Sequence, residues 1–225
     1  MNTYREIVYM ILDKLKLNSD DSFFTEDHIL YLIDKYRTFL IEKKYAKNPN
    51  AISDSNYQTI TINFIEAPVG KGTYTPYSYT RSEEPIPSIL DLGKVSIYTT
   101  DSFKEIITYI TPERMKYVGF NKYMKNIIYG TKGYDDYFYL KSNNPQHKYL
   151  KEATIEAIFE NPSEASKLNG EYSGDIMDME FPMEKALIPE LINTIMQDLA
   201  ASVYLPEDKQ NNANDDLANL QQPKK

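Results

Sequence analysis

The N-terminal stretch that decides one half of the fold reads Tyr4-Arg5-Glu6-Ile7-Val8-Tyr9-Met10-Ile11-Leu12-Asp13-Lys14-Leu15. Its apolar residues recur three and four positions apart, which predicts an amphipathic helix from Tyr4 to about Leu15. Thr3 precedes it, and Glu6 lies three residues later. This spacing indicates a capping box, in which the two side chains accept hydrogen bonds from free backbone N–H groups.

Two further helices follow the same rule. The second runs from about Glu26 to Lys44, with Thr25 as its N-cap and with more apolar surface than one stripe requires. Leu32, Tyr36, Phe39 and Leu40 are expected to pack within this bundle or against a neighbouring subunit. The third runs from Ala186 to Val203 and contains Pro189, so it either begins there or is kinked there. Together they predict an N-terminal helical hairpin that forms a bundle with a C-terminal helix.

The middle of the chain alternates apolar and polar residues, the pattern of half-buried strands. Strands are predicted at Gln58–Phe64, Val95–Thr99, Ile106–Ile110, Asn126–Tyr129, Tyr134–Lys141 and Glu152–Glu160. A short helical turn is expected at Ser163. The fold class is therefore α+β, with a central antiparallel β domain. We predict a bundle made of residues 1–47 plus 182–204, and an inserted β-rich domain at 48–181.

Two segments are expected to bind partners. The stretch 66–88 is rich in proline and is predicted to be an extended contact arm, because prolines at this density oppose helix and central strand. Its candidate contact residues are Tyr74, Tyr77 and Tyr79. The segment 205–225 is predicted to be a flexible tail, since it is too polar to bury itself and gains order most easily on a partner. The candidate residues in and just before the tail are Tyr204, Pro206, Asp208, Asn211, Asn212, Asp216, Leu217 and Leu220.

Composition excludes several classes of protein. The formal net charge is −8, and the four arginines are scattered, so tight binding to nucleic acid is not expected. Cysteine is absent, which removes disulfides and thiolate chemistry. Neither a membrane-spanning run nor a secretory signal is predicted.

A search for catalytic and metal-binding patterns favours structural interpretations. Gly70-Lys71-Gly72-Thr73 fails the phosphate-loop pattern, because Ile65 and Gly72 stand where glycine and a hydroxyl residue are needed. The carboxylates of Asp175, Asp178 and Glu180 could hold a cation but are more typical of a solvated loop.

The remaining candidates are weaker still. Asp135-Asp136 is expected on a strand edge and could suggest a glycosidase pair. His28 and His147 are expected in a first helical turn and in a turn, without zinc-site spacing. Glu113 and Arg114 are expected to form a local ion pair. We therefore expect no cofactor, no metal ion and no enzymatic activity.

Several stretches resemble a known family. The opening Tyr4–Asp13, the stretch Phe24–Arg37, the motif Ile110–Gly119 and the motif Ala157–Ala165 are similar to head–tail connector proteins of crAss-like, short-tailed phages, as is the tail from Leu205 to Leu217. The resemblance implies a homo-oligomeric adaptor ring of about twelve copies at the portal vertex of the virion. Its implied partners are further copies of itself, the portal protein, downstream tail or ring proteins, and genome DNA that passes through the lumen without specific binding.

Two other functions stay open from the residues alone. The chain could be a monomeric protein-binding module that uses the tyrosine-rich arm. It could also be a hydrolase that uses Asp175, Asp178 or Asp135.

Overall fold

The structure is a computed structural model that describes residues 2–18, 24–66, 80–92, 94–100, 104–118, 122–124, 126–144, 147, 149–168 and 175–203. The described helices are α1 (Tyr4–Asn18), α2 (Glu26–Tyr45), α3 (Pro112–Met115), α4 (Pro162–Leu168) and α5 (Ile188–Val203). The described strands are β1 (Gln58–Glu66), β2 (Thr80–Ser82), β3 (Ser96–Thr99), β4 (Ile107–Tyr109), β5 (Ile128–Lys132), β6 (Phe138–Lys141) and β7 (Glu152–Ala157). The predicted α+β class is confirmed.

The helices begin where the sequence predicted. At α1 the Glu6 N–H donates to Thr3 Oγ1 and the Thr3 N–H donates to Glu6 Oε2, each at 3.3 Å, so the capping box is confirmed. At α2 the His28 N–H donates to the Thr25 hydroxyl oxygen at 3.3 Å. Helix α5 starts at Ile188 and holds Pro189 in its first turn, where a proline removes no intrahelical hydrogen bond. Pro189 therefore marks the start of this helix.

Helices α1, α2 and α5 pack together as a layer, here called the helix layer. Its core contains the expected apolar faces, including Leu32 and Leu40. It also takes in residues that follow the sheet in sequence, from Met177 to Met183, together with Leu90 and Ile158. Tyr36 is partly buried against this core, whereas Phe39 remains 51% exposed.

The strands form a sheet in the order β3-β7-β1-β2-β6-β5-β4. Of the strand pairs that the structure describes, β4–β5 alone is parallel, so the sheet is mixed and the all-antiparallel prediction is wrong at this pair. The first and last strands of this order, β3 and β4, also meet. Tyr98 forms a backbone bridge with Ile106, and the Thr99 N–H donates to the Glu105 carbonyl at 2.9 Å. The sheet therefore closes on itself as a barrel.

The interior of the barrel is a second apolar core. The inward residues of β1 and β7 follow the predicted alternation. They are Ile60, Ile62 and Phe64 on β1 and Ala153, Ile155 and Ala157 on β7. Phe138 and Phe159 fill the centre, and Ala165 of α4 packs against them. The barrel has two ends: the near end, at Gln58 and Ala157, adjoins the helix layer, and the far end lies at Glu66, Thr99 and Lys141.

Several local predictions in the barrel are wrong. Thr80–Ser82 lies inside the predicted arm 66–88 but forms β2, because it pairs with both β1 and β6. The residues from Tyr134 to Tyr137 form a turn rather than the start of a strand. Helix α3 was not predicted at all. The remainder of the arm, 67–79, lies outside the described residues, and so do Tyr74, Tyr77 and Tyr79.

Among the helices of the described chain, none combines the length and the apolar composition needed to cross a bilayer.

Candidate assembly interface

Arg37 fixes the helix layer to the barrel. It lies on the buried face of α2, one turn from Ile33 and one turn from Ile41, and its side chain is fully buried. Its guanidinium donates to the carbonyl oxygens of Pro182 at 2.8 Å, Phe159 at 2.8 Å and Asn56 at 3.0 Å. These carbonyls belong to the segment before α5, to the end of β7 and to the turn before β1. One side chain thus joins the elements that meet at the near end.

The charge of Arg37 is stabilised by the dipoles of backbone carbonyl groups rather than by a direct ion pair. In the described part of the chain, no carboxylate lies within salt-bridge distance of its guanidinium. Burial lowers the pKa of Arg37 to about 10, while the nearby Tyr4 and Asp34 act in the opposite direction. Because an arginine with this pKa remains protonated at neutral pH, the junction keeps its donors.

Asp34 lies beside this junction and orients two neighbouring elements. Its carboxylate accepts hydrogen bonds at 3.0 Å from the Tyr4 hydroxyl and from the Ser163 hydroxyl, which belong to α1 and α4. Burial raises the pKa of Asp34, and the hydrogen bonds from Ser163 and Tyr4 partly offset that effect.

A groove of about 630 Å³ opens next to Asp34, between α2 and the junction of β7 with α4. Leu30, Tyr31 and Ile176 contribute its apolar surface, and the Tyr31 side chain is 63% exposed. Its acidic lining comes from exposed carboxylates, namely Asp27, Glu160 and Glu164. Lys35 is the basic residue of the lining, and its ammonium lies 5.1 Å from the centre of the Tyr36 ring. The groove therefore combines an apolar surface with exposed acidic side chains.

Large side chains are exposed at the start of β4 and along the segment that joins β4 to β5. Ile106 is 71% exposed at the start of β4, and Tyr117 is 81% exposed just after α3. Tyr123 and Met124 are also exposed, in the short helix before β5. Lys141 holds this region together, because its buried ammonium donates to the Met115 carbonyl at 3.0 Å.

The acidic candidates are bound by other side chains. Arg5 donates to Asp178 at 2.8 Å and to Asp175 at 3.2 Å, so these carboxylates anchor α1 to the segment before α5. Glu180 lies nearby and forms a backbone bridge with Thr3. Within the ranges that the structure describes, no group of histidine and carboxylate ligands could hold a metal ion.

The second acidic pair, Asp135 and Asp136, lies in the turn between β5 and β6. The prediction that this pair lies on a strand edge is therefore wrong. Asp135 accepts a hydrogen bond from the Tyr139 hydroxyl at 2.5 Å. Asp136 pairs with Lys132 at 2.9 Å and has a positive φ of 65°, which the turn requires. The hydrolase hypothesis for Asp135 gains no support from this arrangement.

The other polar candidates also have local partners. His28 is exposed in the first turn of α2, as predicted, and stacks on Phe24. His147 contacts Glu105 through Nε2 at 3.1 Å and Ser142 through Nδ1 at 2.8 Å. The predicted Glu113–Arg114 ion pair is absent from the described contacts. Glu113 instead accepts a hydrogen bond from the Tyr134 hydroxyl, which lowers the pKa of its carboxyl group.

The predicted partner-binding residues of the tail, from Tyr204 to Leu220, lie outside the described residues. The groove was missed by sequence reasoning. The spacing of Arg37 with Ile33 and Ile41 predicts its burial.

An interlocked helix layer and barrel, with large aromatic side chains left on the surface, is typical of a structural subunit that works through contacts. Comparison with known proteins agrees with this class. Residues 6–217 match the family described as phage tail ring protein 2, and the chain belongs to that family.

A curated relative supports the assignment. The chain is 44% identical over 220 residues to Ring protein 2 of Bacteroides phage crAss001, and the alignment covers 96% of this chain and 98% of that protein. The chain is thus a crAss-like phage ring protein and a structural component of the virion. The resemblance inferred from the sequence is confirmed at this level, and the family is named for a ring rather than for a reaction.

Proposed function

We propose that the chain forms a homo-oligomeric adaptor ring between the portal and the tail of a crAss-like phage. About twelve copies would surround the channel through which the genome leaves the head. The bundle of residues 1–47 and 182–204 and the inserted domain 48–181 would be the two layers of each subunit. The protein would reside at the portal vertex of the virion, after synthesis in the host cytoplasm.

The observation that carries this proposal is the extent of the family match. The match runs from residue 6 to residue 217, so it includes most of the polar segment that follows α5. The alignment with the crAss001 ring protein also extends over nearly all of both chains. Common ancestry over this length supports a shared mode of assembly, including a role for the C-terminal tail.

The tail is proposed to bind the portal. Its candidate contacts begin at Tyr204 and end at Leu217 and Leu220, two large apolar residues in a mostly polar stretch. Ordering such a segment opposes binding by roughly 1–2 kcal/mol for each fixed residue. A ring that presents many identical tails can offset this cost through avidity. Downstream tail or ring proteins would bind other surfaces of the same ring, including the arm with Tyr74, Tyr77 and Tyr79.

The lumen is proposed to pass DNA without holding it. The chain carries a net charge of −8, and phosphate binding requires clustered lysine and arginine. An acidic subunit repels the DNA backbone, which favours sliding over specific contact.

The test is co-sedimentation of the full-length chain with the portal assembly of the same phage. The double substitution Leu217→Asp with Leu220→Asp should reduce the bound fraction at least about tenfold, because it removes the apolar contacts of the tail. The matched control is Gln221→Asp with Gln222→Asp, which adds the same charge just after Leu220 and should bind normally.

Light scattering supplies the second readout. Normal binding by the leucine variant would contradict a role for the tail. An unmodified chain that stays monomeric beside the portal would contradict the ring itself. That outcome would favour the alternative, a monomeric binding module that uses the tyrosine-rich arm.

A further inference from the structure

The groove beside α2 continues into two further depressions along α4. A cavity of about 490 Å³ adjoins the groove, because Asn161 and Glu164 line both of them. A smaller cavity of about 110 Å³ follows, and Glu84 and Leu168 line both it and the second cavity. We call the three together the acidic trough. It runs from α2, past α4, to the middle of β1.

The shape of the trough suits an extended segment of polypeptide. Helix α4 has 7 residues, which at 1.5 Å per residue gives it a length of about 10 Å. An extended chain advances by about 3.3 Å per residue, so about three of its residues lie alongside α4 and others lie in the cavities at either end. The volume of about 630 Å³ at the α2 end falls in the range of ligand-binding pockets.

Acidic side chains line the whole length of the trough. Besides the half-buried Asp34, six exposed carboxylates contribute to its lining, against the two lysines Lys35 and Lys167. One of them, Asp136, pairs with Lys132. In the part of the chain that the structure describes, none of the other five is in an ion pair. These five are Asp27, Glu83, Glu84, Glu160 and Glu164.

The like charges of the trough act on one another. Burial raises the pKa of Asp34, and the charge of Glu164 acts in the same direction. A bound cation would relieve this repulsion, whereas a phosphate backbone would add to it. A second copy of the chain carries the same net charge of −8, so a different, basic protein is the better complement. Because Leu30, Tyr31 and Ile176 line the α2 end, that protein also needs a large apolar side chain there.

We propose that the acidic trough binds an extended segment of a different protein, one that carries arginine or lysine together with a large apolar side chain. The apolar side chain lies against Leu30, Tyr31 and Ile176 at the α2 end. The basic side chains pair with Glu160 and Glu164 and with the other free carboxylates along α4. The inference goes beyond the proposed ring, since it assigns each subunit a site for a protein other than a copy of itself.

Fluorescence anisotropy with a defined peptide tests the site. The probe is a fluorescein-labelled peptide of about twelve residues that repeats Arg-Leu-Ser, titrated with the full-length chain at about 150 mM salt, where attraction between distant charges is screened. We expect saturable binding of one peptide per subunit. A peptide that repeats Arg-Ser-Ser should bind at least about tenfold more weakly, because it buries no leucine. A peptide that repeats Glu-Leu-Ser should not bind, because the trough repels it.

Two pairs of variants locate the binding on the trough. Glu160→Gln with Glu164→Gln should weaken binding of the Arg-Leu-Ser peptide at least about tenfold, because it removes two charges that the arginines contact. Its matched control is Glu42→Gln with Glu152→Gln, which removes two exposed glutamates outside the trough and should change the affinity by less than about twofold.

The second pair tests the apolar contact. Tyr31→Ser should weaken binding at least about threefold, because it removes an aromatic ring from the α2 end of the trough. Tyr149→Ser removes a tyrosine that is 84% exposed outside the trough, and it should bind as the unmodified chain does.

The outcomes separate this site from the proposed ring. No binding of the Arg-Leu-Ser peptide, or equal losses in a trough variant and its control, would overturn the site and leave the ring intact. Loss of ring formation in the Glu160 and Glu164 variant, with peptide binding unchanged, would overturn it in favour of a second copy as the occupant. Binding as expected to an unmodified chain that forms no ring, with or without the portal, would support the site and overturn the proposed function.

Discussion

The near end and the far end of the barrel differ in the contacts that their side chains make. At the near end, charged side chains bind partners within the same subunit: Arg37 holds backbone carbonyls, Arg5 holds Asp175 and Asp178, and Lys44 pairs with Glu184 at 2.8 Å. At the far end, Ile106 is 71% exposed at the start of β4. The comparison teaches that charged side chains fix the elements of the subunit at the near end, while an apolar side chain stays exposed at the far end.

Loss of the Arg37 donors should break the near end and give the largest effect on stability. We expect Arg37→Met to lower the free energy of unfolding by about 3 kcal/mol or more, because it leaves buried carbonyls of Phe159, Pro182 and Asn56 without their donor. Urea denaturation followed by circular dichroism measures the change.

The matched control for this variant is Arg114→Met, which removes an exposed arginine of α3. Its free energy of unfolding should stay within about 0.5 kcal/mol of the unmodified chain. Equal stability of the two variants would contradict the role assigned to Arg37.

Packing inside the barrel can be tested at Gly130 on β5. A Cβ atom at this position would lie 2.5 Å from Phe138 Cζ and 3.0 Å from Ile107 Cγ2. Gly130→Ala should therefore destabilise the chain by about 1–3 kcal/mol through overpacking. In the background of Phe138→Leu, which removes the closest ring atoms, the same substitution should cost less. A double-mutant cycle measures this coupling, and additive effects would contradict the close contact.

The smallest effect concerns the pH dependence of the near end. Because burial raises the pKa of Asp34, the folded state holds its proton more tightly than the unfolded state does. The resulting stabilisation is full below the unfolded pKa of about 3.8 and is lost as pH rises through the folded pKa.

Asp34→Asn stays neutral and can still bond Tyr4 and Ser163, so its stability relative to the unmodified chain should increase as pH rises above about 4. Urea midpoints measured for both proteins between pH 4 and 7 check this direction. A relative stability that decreases over the same interval would contradict the raised pKa.

The helix layer could be predicted from the sequence because its signals are local. The capping residues Thr3 and Thr25 lie next to the helices that they start, and the apolar stripes have the period of a helix. The barrel depends on pairings between distant residues. Strand β2 forms because Thr80 meets Glu66 and Leu140, and no pattern within a three-residue strand records that pairing. The parallel pair β4–β5 and the closure through Tyr98 and Ile106 are equally non-local.

The groove beside α2 was hidden from sequence reasoning for the same reason. Tyr31 and Glu160 lie far apart in sequence and share a groove only after α2 packs on the end of β7. The proposed contacts of the tail, including Leu217 and Leu220, remain predictions that rest on sequence and family resemblance.

The contact between the two termini of the described chain governs the order of events on the ribosome. The Tyr4 N–H donates to the Met179 carbonyl at 3.1 Å, the Phe181 N–H donates to the Asn2 carbonyl at 2.9 Å, and α1 packs against α5. During translation, the barrel strands leave the ribosome before α5 does. The apolar faces of the first two helices that pack against α5 therefore stay uncovered until α5 has been made, and this interval is when a host chaperone would bind them.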